Sequence, residues 1–174
     1  MESTLDTKTV FAGHLLSVRA DSVELPDGRR ATREVVEHPG AVAVVPVTAA
    51  GSVLLVEQYR YAVGRTLLEL PAGTREPGET APATAARELV EETGYRAEVL
   101  TEIGRFFVSP GWATEEIVLF RAEGLSRSGH GCDHDEILKL VEVEPDLIPV
   151  LMRDGTIADA KTIIGLDRTI SNDS

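Results

Sequence analysis

The sequence has almost no cysteine, no cluster of basic residues and no long apolar run. Cys132 is the one cysteine in 174 residues, which excludes an internal disulfide and a cysteine-rich zinc site. No run of about 18 apolar residues occurs, and the first residues, MESTLDTKTVFAGHLL, lack the basic-then-apolar order of a secretory signal. We therefore expect a cytoplasmic protein with no membrane partner.

Acidic residues outnumber basic ones by 29 to 17, and the formal net charge is −12. Affinity for a nucleic-acid backbone comes mainly from clustered Lys and Arg, so nucleic acid is not expected as a partner. A small anionic substrate remains compatible with this charge, because metal ions in an acidic site would supply the positive charge that the side chains lack.

The chain length and its 43% apolar content fit one ordinary globular domain with a hydrophobic core. Residues 10–18 and 22–37 have the pattern of short strands, with turn chemistry at Pro26, Asp27 and Gly28. Such a small sheet is marginal alone, so we expect it to pack on the main domain or on a second subunit. The predicted organisation is an N-terminal dimerisation sheet in residues 1–39 and a main domain in residues 40–174.

The main domain alternates strands with helices. Residues 41–47 and 52–58 are β-branched runs that predict a buried hairpin, and residues 145–153 and 156–168 predict helices near the C-terminus. With a further helix at residues 83–93, strands lie on both sides of a central helix in the sequence. This order predicts an α/β sandwich.

The helix at residues 83–93 carries an unusual set of carboxylates. Thr80 offers a hydroxyl cap at its start, and Gly94 marks its end. Glu88, Glu91 and Glu92 lie close to the C-terminus, where the helix dipole disfavours anions, and they converge on one patch because of their i, i+3, i+4 spacing. The patch suits a hard divalent cation, while a solvated acidic helix face is the alternative.

The residues around this helix match a longer pattern, G-x(5)-E-x(7)-R-E-U-x-E-E-x-G-U, in which U is a bulky apolar residue. The stretch resembles the signature of the Nudix hydrolases, and Tyr95 at the last U is its one soft departure. The fixed slots are filled by Gly73, Glu79, Arg87, Glu88, Leu89, Glu91, Glu92 and Gly94.

The resemblance implies an α/β/α Nudix fold and hydrolysis of a nucleoside diphosphate linked to another group, with Mg²⁺ or Mn²⁺ at the signature helix. Glu88 and Glu92 are then the principal metal ligands. Glu91 is a further ligand, direct or through water, and is counted among the catalytic residues. The carbonyl oxygen of Ala72 completes the site by analogy, and Glu79 and Arg87 orient the loop and helix by pairing with each other.

Features outside the signature resemble the ADP-ribose pyrophosphatase subgroup, which implies conversion of ADP-ribose to AMP and ribose 5-phosphate. Pro110 lies 16 residues beyond Gly94 within a Ser-Pro-Gly sequence, although a simple turn also explains it. Arg60 is either a phosphate clamp or an ordinary surface residue. The residues assigned to substrate binding are Arg33, Glu34, Arg60, Glu69, Pro110 and Gly111.

A general base is also required, because the signature carboxylates are assigned to the metal. In the subgroup a glutamate opens the strand after an acidic loop, and Glu136 matches that position best. Asp135 is the reserve, and a merely solvated acidic loop is the alternative.

Other readings stay open at this point. A Nudix hydrolase acting on a nucleotide sugar, a dinucleotide or an oxidised nucleoside triphosphate is the main alternative, and Pro110 argues most strongly against the last of these substrates. A non-catalytic nucleotide sensor is a weaker alternative. The subgroup is commonly dimeric, so the resemblance also implies a homodimer in which Arg33 and Glu34 reach the adenosine end of the substrate bound to the neighbouring subunit. An exposed Arg33–Glu34 pair of little consequence is the alternative.

Overall fold

The computed structural model describes residues 1–129 and 138–172. Its residues group into two compact units. One consists of residues 1–40 and 106–116, and the other of residues 41–105 and 117–174.

The first unit contains a three-stranded antiparallel sheet in the order β1 (Ser3–Ala12), β2 (Ser17–Glu24) and β3 (Arg30–Glu37). The predicted turn between β2 and β3 is confirmed, since Gly28 has φ 83° and its N–H donates to the Leu25 carbonyl at 2.9 Å. The predicted strand at residues 10–18 is wrong. A tight turn interrupts it, in which the N–H of Gly13 donates to the Leu16 carbonyl at 2.9 Å. The strand pattern did not predict this turn, because apolar residues continue on both sides of it.

The second unit holds most of the remaining elements. The strands that lie wholly or mostly in it are β4 (Ala41–Pro46), β5 (Val53–Arg60), β6 (Arg65–Glu69), β7 (Ala72–Thr74), β8 (Tyr95–Arg96), β9 (Val99–Phe107), β10 (Glu116–Glu123), β11 (Ser126–Arg127) and β12 (Lys139–Val143). Its helices are α1 (Ala81–Thr93), α2 (Ile148–Arg153) and α3 (Ala160–Asn172).

The predicted hairpin of β4 and β5 is wrong. β4 belongs to the sheet β7-β4-β10-β9, where it runs parallel to β10, whereas β5 belongs to the antiparallel sheet β12-β5-β6. Only a single bridge, between Val47 and Val53, joins the two segments. All of β4 and the first half of β5, residues 53–56, are apolar and buried on both faces. Each can therefore be enclosed within its own sheet, and the sequence pattern does not say which strands it pairs with.

Alternation along β4 and β10 places a helix on each face of their sheet. Val42 and Val44 pack with Ala85 and Leu89 of α1, and Phe120 of β10 belongs to the same cluster. On the opposite face, Gly165 of α3 approaches Val45 and Leu119 so closely that an added Cβ would lie 3.2 Å from each side chain. The predicted α/β/α arrangement is confirmed.

The helix ends differ slightly from the predictions. Gly94 adopts φ 71° and ends α1 as expected, but the Thr80 hydroxyl makes no capping hydrogen bond. α3 begins at Ala160 rather than Thr156, because Asp159 accepts the N–H of Thr162 at 3.2 Å and so caps the first turn. Among residues 1–129 and 138–172, no helix has the length and apolar character to cross a membrane.

Candidate active site

Two of the signature carboxylates lie on the buried side of α1. Glu88 and Glu92 are each only 8% exposed, and the neighbouring Ala85 and Leu89 are fully buried against the sheet. A solvated acidic face is therefore the wrong description of these two residues. Glu91 differs, because its side chain is 39% exposed. Buried carboxylates at a helix C-terminus need a positive partner.

Arg87 is one such partner. Its Nη1 donates to Oε1 of Glu88 at 2.6 Å and to Oε2 of Glu91 at 2.8 Å, and its Nη2 donates to the Thr74 carbonyl at 3.3 Å. Burial raises the pKa of Glu88, although the charge of Arg87 opposes this shift. The carboxylate oxygens of Glu88 and Glu91 thus already meet at one cationic atom.

Glu79 holds the other side of the Arg87 guanidinium, as the sequence predicts. The Nε and Nη2 atoms of Arg87 donate to Glu79 at 3.1 and 3.0 Å, and the Thr84 hydroxyl donates to Glu79 Oε2 at 2.8 Å. Hydrogen bonds from Arg87, and secondarily from Thr84, lower the pKa of Glu79 to about 2. The same bond raises the pKa of Arg87. This pair ties the signature loop to α1.

The loop before α1 approaches the carboxylates through its backbone. The N–H of Ala72 donates to Glu92 Oε2 at 2.9 Å. Gly73 packs so closely against Glu88 that a Cβ built on it would lie 1.9 Å from Glu88 Oε1. The glycine of the signature is therefore required here for close approach, not for an unusual backbone angle.

The donor chemistry fits a hard divalent cation. All candidate ligands are oxygens, and two carboxylates already converge on the cationic Nη1 of Arg87. Within the described ranges, however, no three His, Cys, Asp or Glu side chains are arranged to hold a metal. The assignment of Glu88, Glu91, Glu92 and the Ala72 carbonyl as metal ligands stays a prediction.

Arg60 and Glu69 form a two-fold contact at the ends of β5 and β6. The Nε and Nη2 atoms of Arg60 donate to the two oxygens of Glu69 at 2.9 and 2.8 Å. Burial by itself raises the pKa of Glu69, but the hydrogen bond from Arg60 and the charge of Lys161 oppose this more strongly and lower it. The structure thus brings these two predicted substrate-binding residues together.

Sequence reasoning missed Lys161, which also donates to Oε2 of Glu69 and to Asp159 at 3.0 Å. It missed Thr162 as well, whose hydroxyl accepts the N–H of Leu70 at 2.8 Å. Both contacts join residues 92 positions apart, and no local motif signals them. The one available hint is Asp159, which has the character of a helix cap and marks these residues as a first helical turn.

The other predicted substrate-binding residues belong to the first unit. Arg33 contacts Glu2 through Nε at 3.1 Å and Nη2 at 2.5 Å, so the suggested Arg33–Glu34 pair is wrong. Adjacent strand residues point to opposite faces, which explains why they do not pair. Pro110 and Gly111 are exposed in a turn closed by the N–H of Trp112, which donates to the Ser109 carbonyl at 3.1 Å. Their roles in binding stay predictions.

Glu136 and Asp135, the candidates for the general base, lie outside the described residues, as does Cys132. Their assignment stays a prediction.

Family models match nearly the whole chain. Residues 37–163 match the NUDIX domain, and residues 2–36 match the nucleoside diphosphate sugar hydrolase N-terminal domain. The chain therefore belongs to the Nudix family. The boundary that we predicted after residue 39 stays a prediction.

Relatives cover the chain almost end to end. The chain is 41% identical over 167 residues to a methanol dehydrogenase activator of Bacillus methanolicus, and this match covers 95% of the chain and 90% of that protein. It is 42% identical over 163 residues to an ADP-ribose pyrophosphatase of Bacillus subtilis, which covers 92% and 88%. A solved structure of an ADP compounds hydrolase matches with a TM-score of 0.87 at 24% identity, covering 98% and 92%, and supports the fold.

Proposed function

We propose that the protein hydrolyses the diphosphate bond of ADP-ribose and releases AMP and ribose 5-phosphate. The observation that carries the proposal is the complete signature, in which Glu88 and Glu92 are buried on α1 and contact the loop at Ala72 and Gly73. Identity of 42% to an ADP-ribose pyrophosphatase supports the choice of substrate.

In this proposal Glu88, Glu91, Glu92 and the Ala72 carbonyl hold Mg²⁺ or Mn²⁺. When bound, the ion neutralises nonbridging diphosphate oxygens and lowers the pKa of a bound water. Arg87 keeps Glu88 and Glu91 oriented, and Glu79 keeps Arg87 oriented.

The remaining steps need a residue that binds the diphosphate and a residue that accepts a proton. Arg60 binds the diphosphate, and Glu136, with Asp135 in reserve, accepts a proton from the attacking water. Attack on phosphorus breaks one bridging P–O bond, and the displaced oxygen leaves with the other phosphate. The substrate class proposed here is a nucleoside diphosphate linked to a second group, as the family models that match residues 2–36 and 37–163 support.

A panel of four compounds tests which substrate the protein prefers. Turnover with Mg²⁺ is measured for ADP-ribose, NADH, UDP-glucose and 8-oxo-dGTP, and ADP-ribose should give the highest kcat/KM. Preference for UDP-glucose would instead favour a nucleotide-sugar hydrolase, a candidate supported by the family model that matches residues 2–36. Absence of turnover on all four would favour a nucleotide sensor, although every fixed residue of the signature is present.

We also propose a homodimer built on the N-terminal sheet, in which Arg33 and Glu34 reach the neighbouring site. β1 is an edge strand whose residues are all exposed, including Leu5, Val10 and Phe11 at 46, 55 and 56%. Exposed apolar strand edges favour pairing with another chain. A cytoplasmic location and the use of Mg²⁺ remain further predictions.

Subunit mixing tests the shared site. Light scattering should give about twice the 18.7 kDa chain mass, and mixing Arg33→Ala with Glu92→Gln subunits should restore activity, because one hybrid site carries neither change. Arg30→Ala, on the same strand, is the matched control and should keep its own activity. A monomeric mass, or no recovery after proven subunit exchange, would contradict the shared site.

A further inference from the structure

Glu69 is a buried carboxylate that accepts hydrogen bonds from two cationic side chains. It is 1% exposed at the end of β6, and its Oε2 accepts from both Nη2 of Arg60 and Nζ of Lys161. Lys161 also donates to Asp159. A buried carboxylate requires such partners, and the four residues together carry two positive and two negative charges.

Arg60 is the member of this group that solution can reach. Its side chain is 38% exposed, whereas the side chains of Glu69, Lys161 and Asp159 are 2, 13 and 16% exposed. Two parallel hydrogen bonds to Glu69 fix the plane of its guanidinium. An anion that approaches this cluster therefore meets Arg60 first.

The first turn of α3 fixes the cluster relative to the signature. Lys161 binds Glu69, and Thr162, the next residue, binds the backbone N–H of Leu70. Gly165, one turn later, packs against Leu70 so closely that a Cβ would lie 2.5 Å from it. Leu70 precedes Pro71 and Ala72, and Ala72 contacts Glu92. The start of α3 thus anchors residues 70–72, which connect Glu69, the partner of Arg60, with the backbone that contacts Glu92.

We propose that Lys161 is a positioning residue that acts through Glu69 to hold Arg60 in the orientation in which it binds the substrate diphosphate. The inference rests on the proposed function only in taking Arg60 as the group that binds the diphosphate. Without Lys161 the cluster would carry a net charge of −1, and the charge of Glu69 would be balanced by Arg60 alone. Both effects weaken attraction for an anion, while the carboxylates on α1 stay in place.

A double-mutant cycle tests this role. Lys161→Met should raise KM for ADP-ribose about tenfold and change kcat less than about twofold, since it removes binding and not chemistry. In an Arg60→Ala background the same substitution should have no further effect on KM, because coupled residues are non-additive. Lys161→Arg, which keeps the cation, should keep KM within about threefold of the wild type.

Two results would overturn the role of Lys161. Additive effects of Arg60→Ala and Lys161→Met would show that Lys161 binds substrate independently, and an unchanged KM in folded Lys161→Met would show that the contact is only structural. Melting temperatures are measured for every variant, and if Lys161→Met does not fold, Lys161→Gln takes its place in the cycle. Lys139→Met is the matched control, because Lys139 pairs with Glu57 at 3.4 Å with a 72% exposed side chain.

The proposed function is tested separately, by measuring turnover of the substrate panel with the wild type alone. If ADP-ribose is a poor substrate, the proposed function fails and the cycle is run on the diphosphate of the panel with the highest turnover. If none is turned over, the cycle is run on ADP-ribose affinity measured by calorimetry, with the same non-additivity expected.

Discussion

Arg87 binds Glu79 through two hydrogen bonds, from Nε to Oε1 at 3.1 Å and from Nη2 to Oε2 at 3.0 Å. The pair connects the loop before α1 with the helix that carries the acidic residues. It leaves Nη1 of Arg87 for Glu88 and Glu91. Orientation of those two carboxylates therefore depends on a residue that belongs to the loop.

The Glu79–Arg87 pair should make stability depend on pH in the acid range. The pKa of Glu79 is lowered from an ordinary 4.5 to about 2, so its stabilising contribution is fully present above pH 4.5 and is lost as pH falls towards 2. Glu79→Gln removes this contribution. Melting temperature measured from pH 7 to 2 should fall less steeply for the variant than for the wild type.

The exposed Glu144 supplies the control for this experiment. Glu144→Gln should reproduce the wild-type slope below pH 4.5. Parallel curves for Glu79→Gln and the wild type would mean that the pair contributes nothing measurable to stability.

Gly73→Ala should damage activity more than stability. The added Cβ would lie 1.9 Å from Oε1 of Glu88, and the flexible carboxylate is easier to displace than the backbone. We expect kcat to fall roughly tenfold to a hundredfold if Glu88 is the metal ligand proposed above, since that is the usual effect of disturbing the residues around a metal. The melting temperature should shift by only a few degrees, as measured by calorimetry. A variant with wild-type kcat would show that the position of Glu88 is not critical.

Glu136→Gln should lower kcat while leaving metal affinity nearly unchanged, because a general base moves a proton and is not a metal ligand. The measurements are turnover and Mg²⁺ titration of the same preparation. Asp135→Asn is the matched comparison. If Asp135→Asn is the damaging substitution, the base has been assigned one residue too late, and if neither matters, the acidic loop is not catalytic.

Much of the fold could be predicted from local chemistry. The end of α1 at Gly94 was predicted from the conformational freedom of glycine, and the turn at Gly28 from its Pro-Asp-Gly sequence. Both glycines have positive φ. The pairing of β4 and β5 was mispredicted, because strands buried on both faces carry no alternation that identifies their neighbours. Pairing within a sheet depends on contacts distant in sequence, such as the parallel match of Ala43 with Leu119.

The carboxylates on α1 could be predicted from the sequence, whereas the contacts made by α3 could not. The spacing of Glu88 and Glu92 placed both on one helix face, but only the structure shows that this face is buried. Lys161 and Thr162 could not be found, because their partners Glu69 and Leu70 lie 92 residues earlier in the chain. Side chains brought together by tertiary packing leave no periodic signal.

The most direct measurement of the central claim is release of AMP from ADP-ribose by the wild type and Glu92→Gln in Mg²⁺. The wild type should be active, and kcat of the variant should fall about a hundredfold or more, because several kcal/mol of charge stabilisation is lost. Its melting temperature without metal should stay level or rise, since the amide oxygen can still accept the Ala72 N–H and a buried charge is gone. The exposed control Glu76→Gln should retain activity. Near-normal turnover by Glu92→Gln would contradict the proposed metal site.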